Sequence, residues 1–263
     1  MSGTDLDPGS FYDRWTELFL AGSGPVFQAG ILRTGDPPRE VPERSVLALA
    51  ERAGLRDGQR VLDAGCGVAG PATIIAHHFP AVVVDCVTNS SRQAAIARRR
   101  IVEDGLADRV RVHVADYQTL PFRSAKFDKV LFLESTGYAT DLVATYREAY
   151  RVLEPGGSLY VKDVFTKKGP LSADETVAME RFDRHWGCVR TKTIPESTSA
   201  MAAAGFEAVH AVAIADIGTA RLVGTMLSIT HDGIDLTELG RSFFDAGLSG
   251  PIEFGEIVAL KTG

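Results

Sequence analysis

The sequence predicts an α/β fold: a seven-stranded parallel-type sheet with helices on both faces and a helical cap. Three observations carry this. From residue 58 onward, short Val/Ile/Leu-rich runs alternate with longer helical patterns, the sequence form of a parallel sheet covered by helices. A glycine-rich turn joins the first of those runs directly to a helix. Three long segments, 1–57, about 165–194 and about 216–250, stand outside the alternation, and segments of that length in a compact domain are usually functional.

In chain order, residues 60–64 (RVLDA) read as the first strand and 70–79 as the helix after it. Residues 81–86 (AVVVDC) are strand two, followed by a helix at about 90–103. Strand three is 109–114 (RVRVHV), strand four 127–133 (FDKVLFL), and a helix fills about 141–153. The EPGG at 154–157 is a helix stop and turn, leading into strand five at 158–164. Residues 195–204 read as a helix, and 206–214 and 252–260 as the last two strands. Two units follow: an N-terminal helical cap or lid over 1–57, and a core over 58–263 carrying the two later cap insertions. The cap is expected over the carboxyl ends of the strands, where open α/β sheets bind ligands.

With 263 residues, the chain is long enough for one α/β domain with embellishments. Its net charge of −6 argues against a nucleic-acid or anionic-membrane partner, both of which select a strongly basic face. Cys66, Cys86 and Cys188 are an odd, scattered set without metal spacing, expected to be reduced thiols of a cytoplasmic protein. The start lacks a basic n-region and an apolar h-region, and no apolar run approaches the ~20 residues that span a bilayer. A small-molecule substrate is the expected partner, and a homo-oligomer is left open.

The sharpest motif is VLDAGCGVAGP at 61–71. Gly65 and Gly67 remove side chains where the backbone must turn tightly and approach a ligand. Gly65, Gly67 and Gly70 also fit the G-x-G-x-x-G of a dinucleotide site. A NAD(P)-dependent oxidoreductase is therefore the rival reading, although no Tyr-x-x-x-Lys pair is evident near the site.

Asp63 before the turn, Asp116 after strand three, then FDKVLF and LEPGG, form an array over residues 55–163 that resembles the class I S-adenosylmethionine-dependent methyltransferases. The resemblance implies a Rossmann-like seven-stranded methyltransferase sheet and S-adenosyl-L-methionine as cofactor. It implies that Asp63, Gly65, Cys66 and Gly67 face the amino-acid half of the cofactor, and that Asp116 and Tyr117 sit by the adenine. Asp85 is the acidic candidate for the ribose. CVTNSSRQ after it looks like the G-(V/L/I)-T-L-S-x-x-Q of the tocopherol, cyclopropane-fatty-acid and prenyl-diphosphate methyltransferases, which implies that Thr88, Asn89 and Gln93 line the cofactor.

Glu134 ends strand four at the mouth of the site. A carboxylate there can take a proton after methyl transfer to carbon, or stabilise a developing cation. LESTGY resembles the ES-x-x-Y of the prenyl diphosphate C-methyltransferases, geranyl and isopentenyl diphosphate being the substrates this implies. FYDRW…FQAG resembles the aromatic lead-in of the same group, with Gln28 in place of the usual His. Tyr12, Trp15, Phe27 and Gln28 are its closing residues, and Gln28 is grouped with the cofactor set. Tyr138, Arg181, His185 and Trp186 are the remaining substrate candidates with Phe165.

Lys162, Lys167, Lys168, Arg181, Arg184, Arg190 and Lys192 cluster in 162–192, and are read as a pocket for a diphosphate, directly or around a Mg2+ ion. Phe165, Phe182 and Trp186 would shelter a cation. Acidic residues interleave with them, so a solvated helix face is the competing reading. The six histidines show no metal-ligand pattern, and no protein metal site is expected. Methylation of another natural-product acceptor, on C, N or O, is the nearest alternative.

Overall fold

The computed structural model describes residues 8–29, 40–167, 169–214, 230–231, 234–235 and 250–263. The main sheet contains β1 (Arg60–Ala64), β2 (Val83–Thr88), β3 (Val110–Val114), β4 (Phe127–Leu133), β5 (Leu153–Thr166) and β6 (Glu207–Ala213). β7 (Thr230–His231) and β8 (Ile234–Asp235) pair separately, and β9 (Ile252–Leu260) completes the main sheet. Its order is β3-β2-β1-β4-β5-β9-β6. The first five strands are parallel, and β9 runs antiparallel to both β5 and β6. The connections run outward in opposite directions from β1 and β4, which opens a crevice at the carboxyl ends of those two strands.

The helices are α1 (Pro8–Ser23), α2 (Val41–Arg52), α3 (Gly70–His78), α4 (Ser91–Glu103), α5 (Leu142–Val152), α6 (Ala173–Trp186) and α7 (Ile194–Ala204). Successive strand residues face opposite sides. Val61 and Leu131 join Val46, Leu49, Ile75 and Ala97 under α2, α3 and α4. Leu62 and Phe132 join Tyr146, Ala149 and Met201 under α5 and α7. The segment expected as one N-terminal cap therefore divides: α2 covers the sheet, while α1 reaches α4 above the crevice. Polar caps fix the helix starts. Asp141 accepts from the Ala144 amide at 2.9 Å, and Ser172 with Glu175, and Thr193 with Glu196, form capping boxes at α6 and α7.

Two expected boundaries shift. β2 lies two residues later than 81–86, because Val82 is still in the turn that follows α3 and the strand continues through Cys86, Val87 and Thr88. EPGG lies inside β5 as a bulge between the paired Phe127↔Leu153 and Lys129↔Ser158 positions. Gly156 there has φ +80°, a conformation that favours glycine. The expected cap insertion at 216–250 falls almost wholly outside the described residues.

Candidate active site

The loop after β1 is shaped by what lies against it. Gly65 has φ +86°, and a Cβ there would sit 2.4 Å from the Ser135 Cβ. Its amide and that of Cys66 both donate to the Val87 carbonyl at 2.9 Å, tying the loop to β2. A Cβ on Gly70 would lie 2.0 Å from the Pro25 carbonyl oxygen. The third glycine of the dinucleotide-like spacing thus makes room for the N-terminal segment, which packs beside the first turn of α3. This removes the spacing as an argument for a pyrophosphate site.

A cleft at the carboxyl ends of the strands is lined on one side by Gly65, Cys66, Gly67, Thr88, Asn89, Gln93, Asp116, Tyr117 and Gln28. These include nearly every residue expected around a cofactor. Thr88 donates to Gln93 Oε1 at 2.8 Å, while Gln93 Nε2 and Gln28 Oε1 are buried and have no protein partner. Tyr117 donates to the Ser135 carbonyl at 2.8 Å, and Asp116 accepts from the Gln118 amide at 2.8 Å. One unpaired donor and one unpaired acceptor, buried in the same cleft, fit a polar ligand such as S-adenosylmethionine.

Asp85 is corrected. With β2 running to Thr88, it sits mid-strand, where its carboxylate accepts from Lys126 at 2.6 Å and meets His113 at 2.7 Å. It is absent from the lining, and Thr88 and Asn89 occupy the strand end instead.

Asp63 lies beneath the loop, 2% exposed, with Oδ2 unpartnered. Burial pushes its carboxyl up to about 7. A carboxyl whose folded-state pKa is raised stabilises the fold fully below its ordinary value of about 4, and that contribution is lost as pH rises through about 7. Chemical unfolding of the cofactor-free protein should show wild type losing stability relative to Asp63→Asn over that window, on the order of a few kcal/mol. Parallel pH profiles would remove Asp63 from this role.

Glu134 follows β4 with φ +55°, unusual for a residue other than glycine and common where function holds the backbone. Its amide donates to the Lys162 carbonyl at 2.7 Å. Its Oε1 accepts from the Ala29 amide at 2.9 Å and from Lys162 Nζ. Lys162 is fully buried and also donates to the Ala29 carbonyl at 2.9 Å. Burial pushes its ammonium down to about 7, against the pull of Asp163.

Beyond Glu134 the lining turns aromatic: Tyr12, Phe19, Phe27, Tyr138, Phe182 and Trp186. Phe19 stacks on Trp186 with an interplanar angle of 3°, and the Tyr12 and Tyr138 hydroxyls share a hydrogen bond. Burial raises both phenols above their ordinary range. Asp163 completes this half, accepting from the Thr136 amide and hydroxyl at 2.8 and 2.6 Å.

Four substrate candidates lie off the lining. Trp15 packs under the Arg14 guanidinium at 5.1 Å. Phe165 is buried in the core against Gly255. Arg181 is exposed on α6, and His185 on the same helix stays outside the cleft.

The cationic cluster is corrected too. Lys162 is spent on Glu134, Lys167 donates to the Gly250 carbonyl, Arg190 pairs with Glu196, and Lys192 donates to the carbonyls of Ala139 and Arg190. Arg184 is exposed, and Lys168 is outside the described residues. Among the described residues, the charged members of the lining are Asp116, Glu134 and Asp163, all acidic. No group of three or more metal-ligating side chains gathers among them, and no residue is assigned to Mg2+.

Asp163, Cys188 and Thr191 line the cleft without a motif to announce them, whereas Ser135 belongs to the LESTGY run. Lys162 did carry a signal: a lysine inside the apolar run SLYVKDVF demands a buried partner.

Fold and cleft together define an α/β enzyme with a nucleotide-type cofactor site at its topological switch point. Residues 61–157 match a family described as a methyltransferase domain. The sterol 24-C-methyltransferase erg6 of Aspergillus fumigatus is 31% identical over 211 residues, 78% of this chain and 55% of that protein. The methyltransferase GfsG of Streptomyces halstedii is 36% identical over 178 residues, 66% of this chain and 63% of that protein. The chain thus spans little more than half the length of the curated relatives it matches. Among solved structures, the [4+2]-cyclase SpnF superposes with a TM-score of 0.82 at 25% identity, over 99% of this chain and 97% of that one. The geranyl diphosphate C-methyltransferase of Streptomyces coelicolor A3(2) shares the fold, with a TM-score of 0.71 at 23% identity over 89% and 90% of the two chains. Residues 61–157 thus carry a methyltransferase domain, and the chain has the fold of the methyltransferases named above. No helix among the described residues is long and apolar enough to cross a membrane.

Proposed function

We propose that the chain methylates a carbon of an apolar, alkene-bearing acceptor of isoprenoid or related natural-product type, with Glu134 as base. The observation that carries this is the composition of the inner cleft: an aromatic wall closing on Glu134, with acidic but no cationic side chains among the described lining residues. S-adenosylmethionine supplies an electrophilic methyl group. Adding CH3+ to an alkene leaves a carbocation on the acceptor, which must lose a proton. Aromatic faces and a carboxylate stabilise that charge, and Glu134 is placed to accept the proton. Both hydrogen bonds to Glu134 fall on Oε1, leaving Oε2 to do so. Tyr12, Phe27 and Gln28 come from the N-terminal segment, and their place in the lining keeps water from the reacting centre.

Prenyl diphosphates are the second reading, favoured by the LESTGY run. A diphosphate in this cleft would meet carboxylates without a described cation to balance it, which places it second. The test is methyl transfer from labelled S-adenosylmethionine to neutral isoprenoid alcohols and sterols. Prenyl diphosphates, with and without Mg2+, and N- and O-acceptors run beside them. Carbon-methylated product from the neutral acceptors is expected. Turnover confined to diphosphates would replace the substrate class. No methylated product from any acceptor, with cofactor bound, would move the chain to a different reaction on the same fold.

A further inference from the structure

The contacts around Ala29 join three parts of the protein that are distant in sequence. Its N–H donates to Glu134 Oε1 at 2.9 Å, and its C=O accepts from Lys162 Nζ at 2.9 Å. Glu134 and Lys162 are bonded to each other. The segment Gly24–Ala29 thus ends in a closed ring of polar contacts with the residue that follows β4 and with the interior of β5. The same segment places Phe27 and Gln28 in the cleft and Pro25 against Gly70.

We propose that Lys162 is a positioning residue that makes Glu134 and the Gly24–Ala29 segment one unit, so that the cleft closes fully only while Glu134 is ionised. The base role of Glu134 rests on the proposed function, but the latch does not. The physical argument is burial. Lys162 has no solvent exposure, and a buried ammonium needs an anion and further acceptors. The carboxylate supplies the anion, the Ala29 carbonyl an acceptor, and the face of Phe254 lies 4.9 Å from Nζ. If Glu134 takes a proton, the ammonium loses its anion and the Ala29 amide loses the charge on its acceptor, so both attachments of the segment weaken together. Acceptance of the substrate proton would then loosen the segment at the moment product must leave.

Few other charges intervene. On β5, Asp163 is next in sequence, but its carboxylate is engaged by Thr136 and Val164. On β9, Glu256 is the register partner of Lys162 on the adjacent strand, and its carboxylate is held by Tyr160 and Arg52. Residues 24–29 (GPVFQA) contain no titratable side chain. Glu134 is therefore the group through which falling pH would reach the segment, and Lys162, whose ammonium burial pushes down to about 7, the one through which rising pH would.

The test is amide hydrogen exchange over residues 24–29 with S-adenosylhomocysteine bound, for wild type and Lys162→Met, alongside inhibitor affinity and the pH profile of kcat/KM. Lys162→Met is expected to speed exchange at Ala29 about tenfold or more and to weaken S-adenosylhomocysteine by a similar factor. Exchange in the β1 and β4 cores should be unchanged. Loss of the neighbouring cation should move the acidic limb of kcat/KM to higher pH. If Lys162→Met does not fold, Glu134→Gln serves, since the amide oxygen keeps an acceptor for Ala29 but removes the charge. Its protection over 24–29, with each rate corrected for intrinsic base-catalysed exchange at that pH, is expected to be low and independent of pH, where wild-type protection falls as pH falls. Wild-type exchange in the segment for the variant that folds would overturn the proposal. So would acceleration spread evenly over the sheet, which is what simple destabilisation gives. A latch that holds while Glu134→Gln stays fully active would overturn only the base assignment.

Discussion

Replacing Glu134 with Gln is expected to lower methyl transfer by about 10²–10⁴-fold, the usual contribution of a positioned general base. That corresponds to about 3–5 kcal/mol of transition-state stabilisation. Binding of S-adenosylhomocysteine should fall only by the roughly tenfold that loosening of the Gly24–Ala29 segment gives, because the residues around the unpaired Gln93 Nε2 are untouched. The backbone geometry supports the assignment. A non-glycine residue at φ +55° costs of order 1–3 kcal/mol, and here the Glu134 amide bond to Lys162 and the side-chain bond to Ala29 hold it. Single-turnover kinetics with a productive acceptor would separate the chemical step from binding. An acceptor methylated on nitrogen or oxygen has less need of a base, so a drop below tenfold would exclude carbon methylation by Glu134.

Gly65→Ala is expected to abolish measurable cofactor binding and to destabilise the fold by about 2–6 kcal/mol. Two costs combine. The left-handed φ of +86° penalises any Cβ by about 1–3 kcal/mol. The new methyl would also lie 2.4 Å from the Ser135 Cβ, and overpacking typically costs a further ~1–3 kcal/mol. Ser135 cannot easily retreat, because its hydroxyl donates to the Ala64 carbonyl at 2.7 Å and its own carbonyl accepts from Tyr117. The strain therefore passes into Tyr117 and the Gly65–Gly67 turn, both on the side of the cleft expected to hold the cofactor. Isothermal titration with S-adenosylhomocysteine and denaturant unfolding would measure the two effects. Gly58→Ala is the control, since its φ is also positive at +80° but nothing lies within 4 Å of its Cβ position. Equal effects at the two glycines would remove the contact with Ser135 as the cause.

Local order explains most of the agreement between sequence and structure. Strands β4 and β9 run from the first to the last expected residue, because buried strands show as apolar runs bounded by turn residues. Helices α3, α4, α5 and α7 begin and end within two residues of expectation, while α6 lies in a segment read only as a cap insertion. The side of the cleft expected to hold the cofactor was assembled for a related reason. Gly65, Gly67, Thr88, Gln93 and Asp116 sit at strand ends, in the loops after them or in the first turn of a following helix, where spacing in sequence becomes position in space over only a few residues.

Asp85 shows where that reasoning stops. Its chemistry suits a ribose, but a shift of two residues in β2 moves it from the strand end to mid-strand, where hydrogen bonds with Lys126 and His113 occupy it. Periodicity gives a strand's faces and leaves its register open by a residue or two. The lysines and arginines of 162–192 fail differently. Their grouping in sequence says nothing of direction, and the fold sends them to carbonyls, to Glu196, to solvent and to Glu134.

The sequence by itself determined the sheet, its helical layers, the glycine turn and the methyltransferase-domain match, since these depend on patterns that span neighbouring residues. Tertiary structure alone decided that Glu134, Lys162 and Ala29 meet, that Gly70 makes room for Pro25, and that the inner cleft is aromatic and acidic. Those features join segments up to 133 residues apart in the chain. No local pattern encodes such contacts, which form only when burial brings both partners out of water and obliges every polar atom to find another.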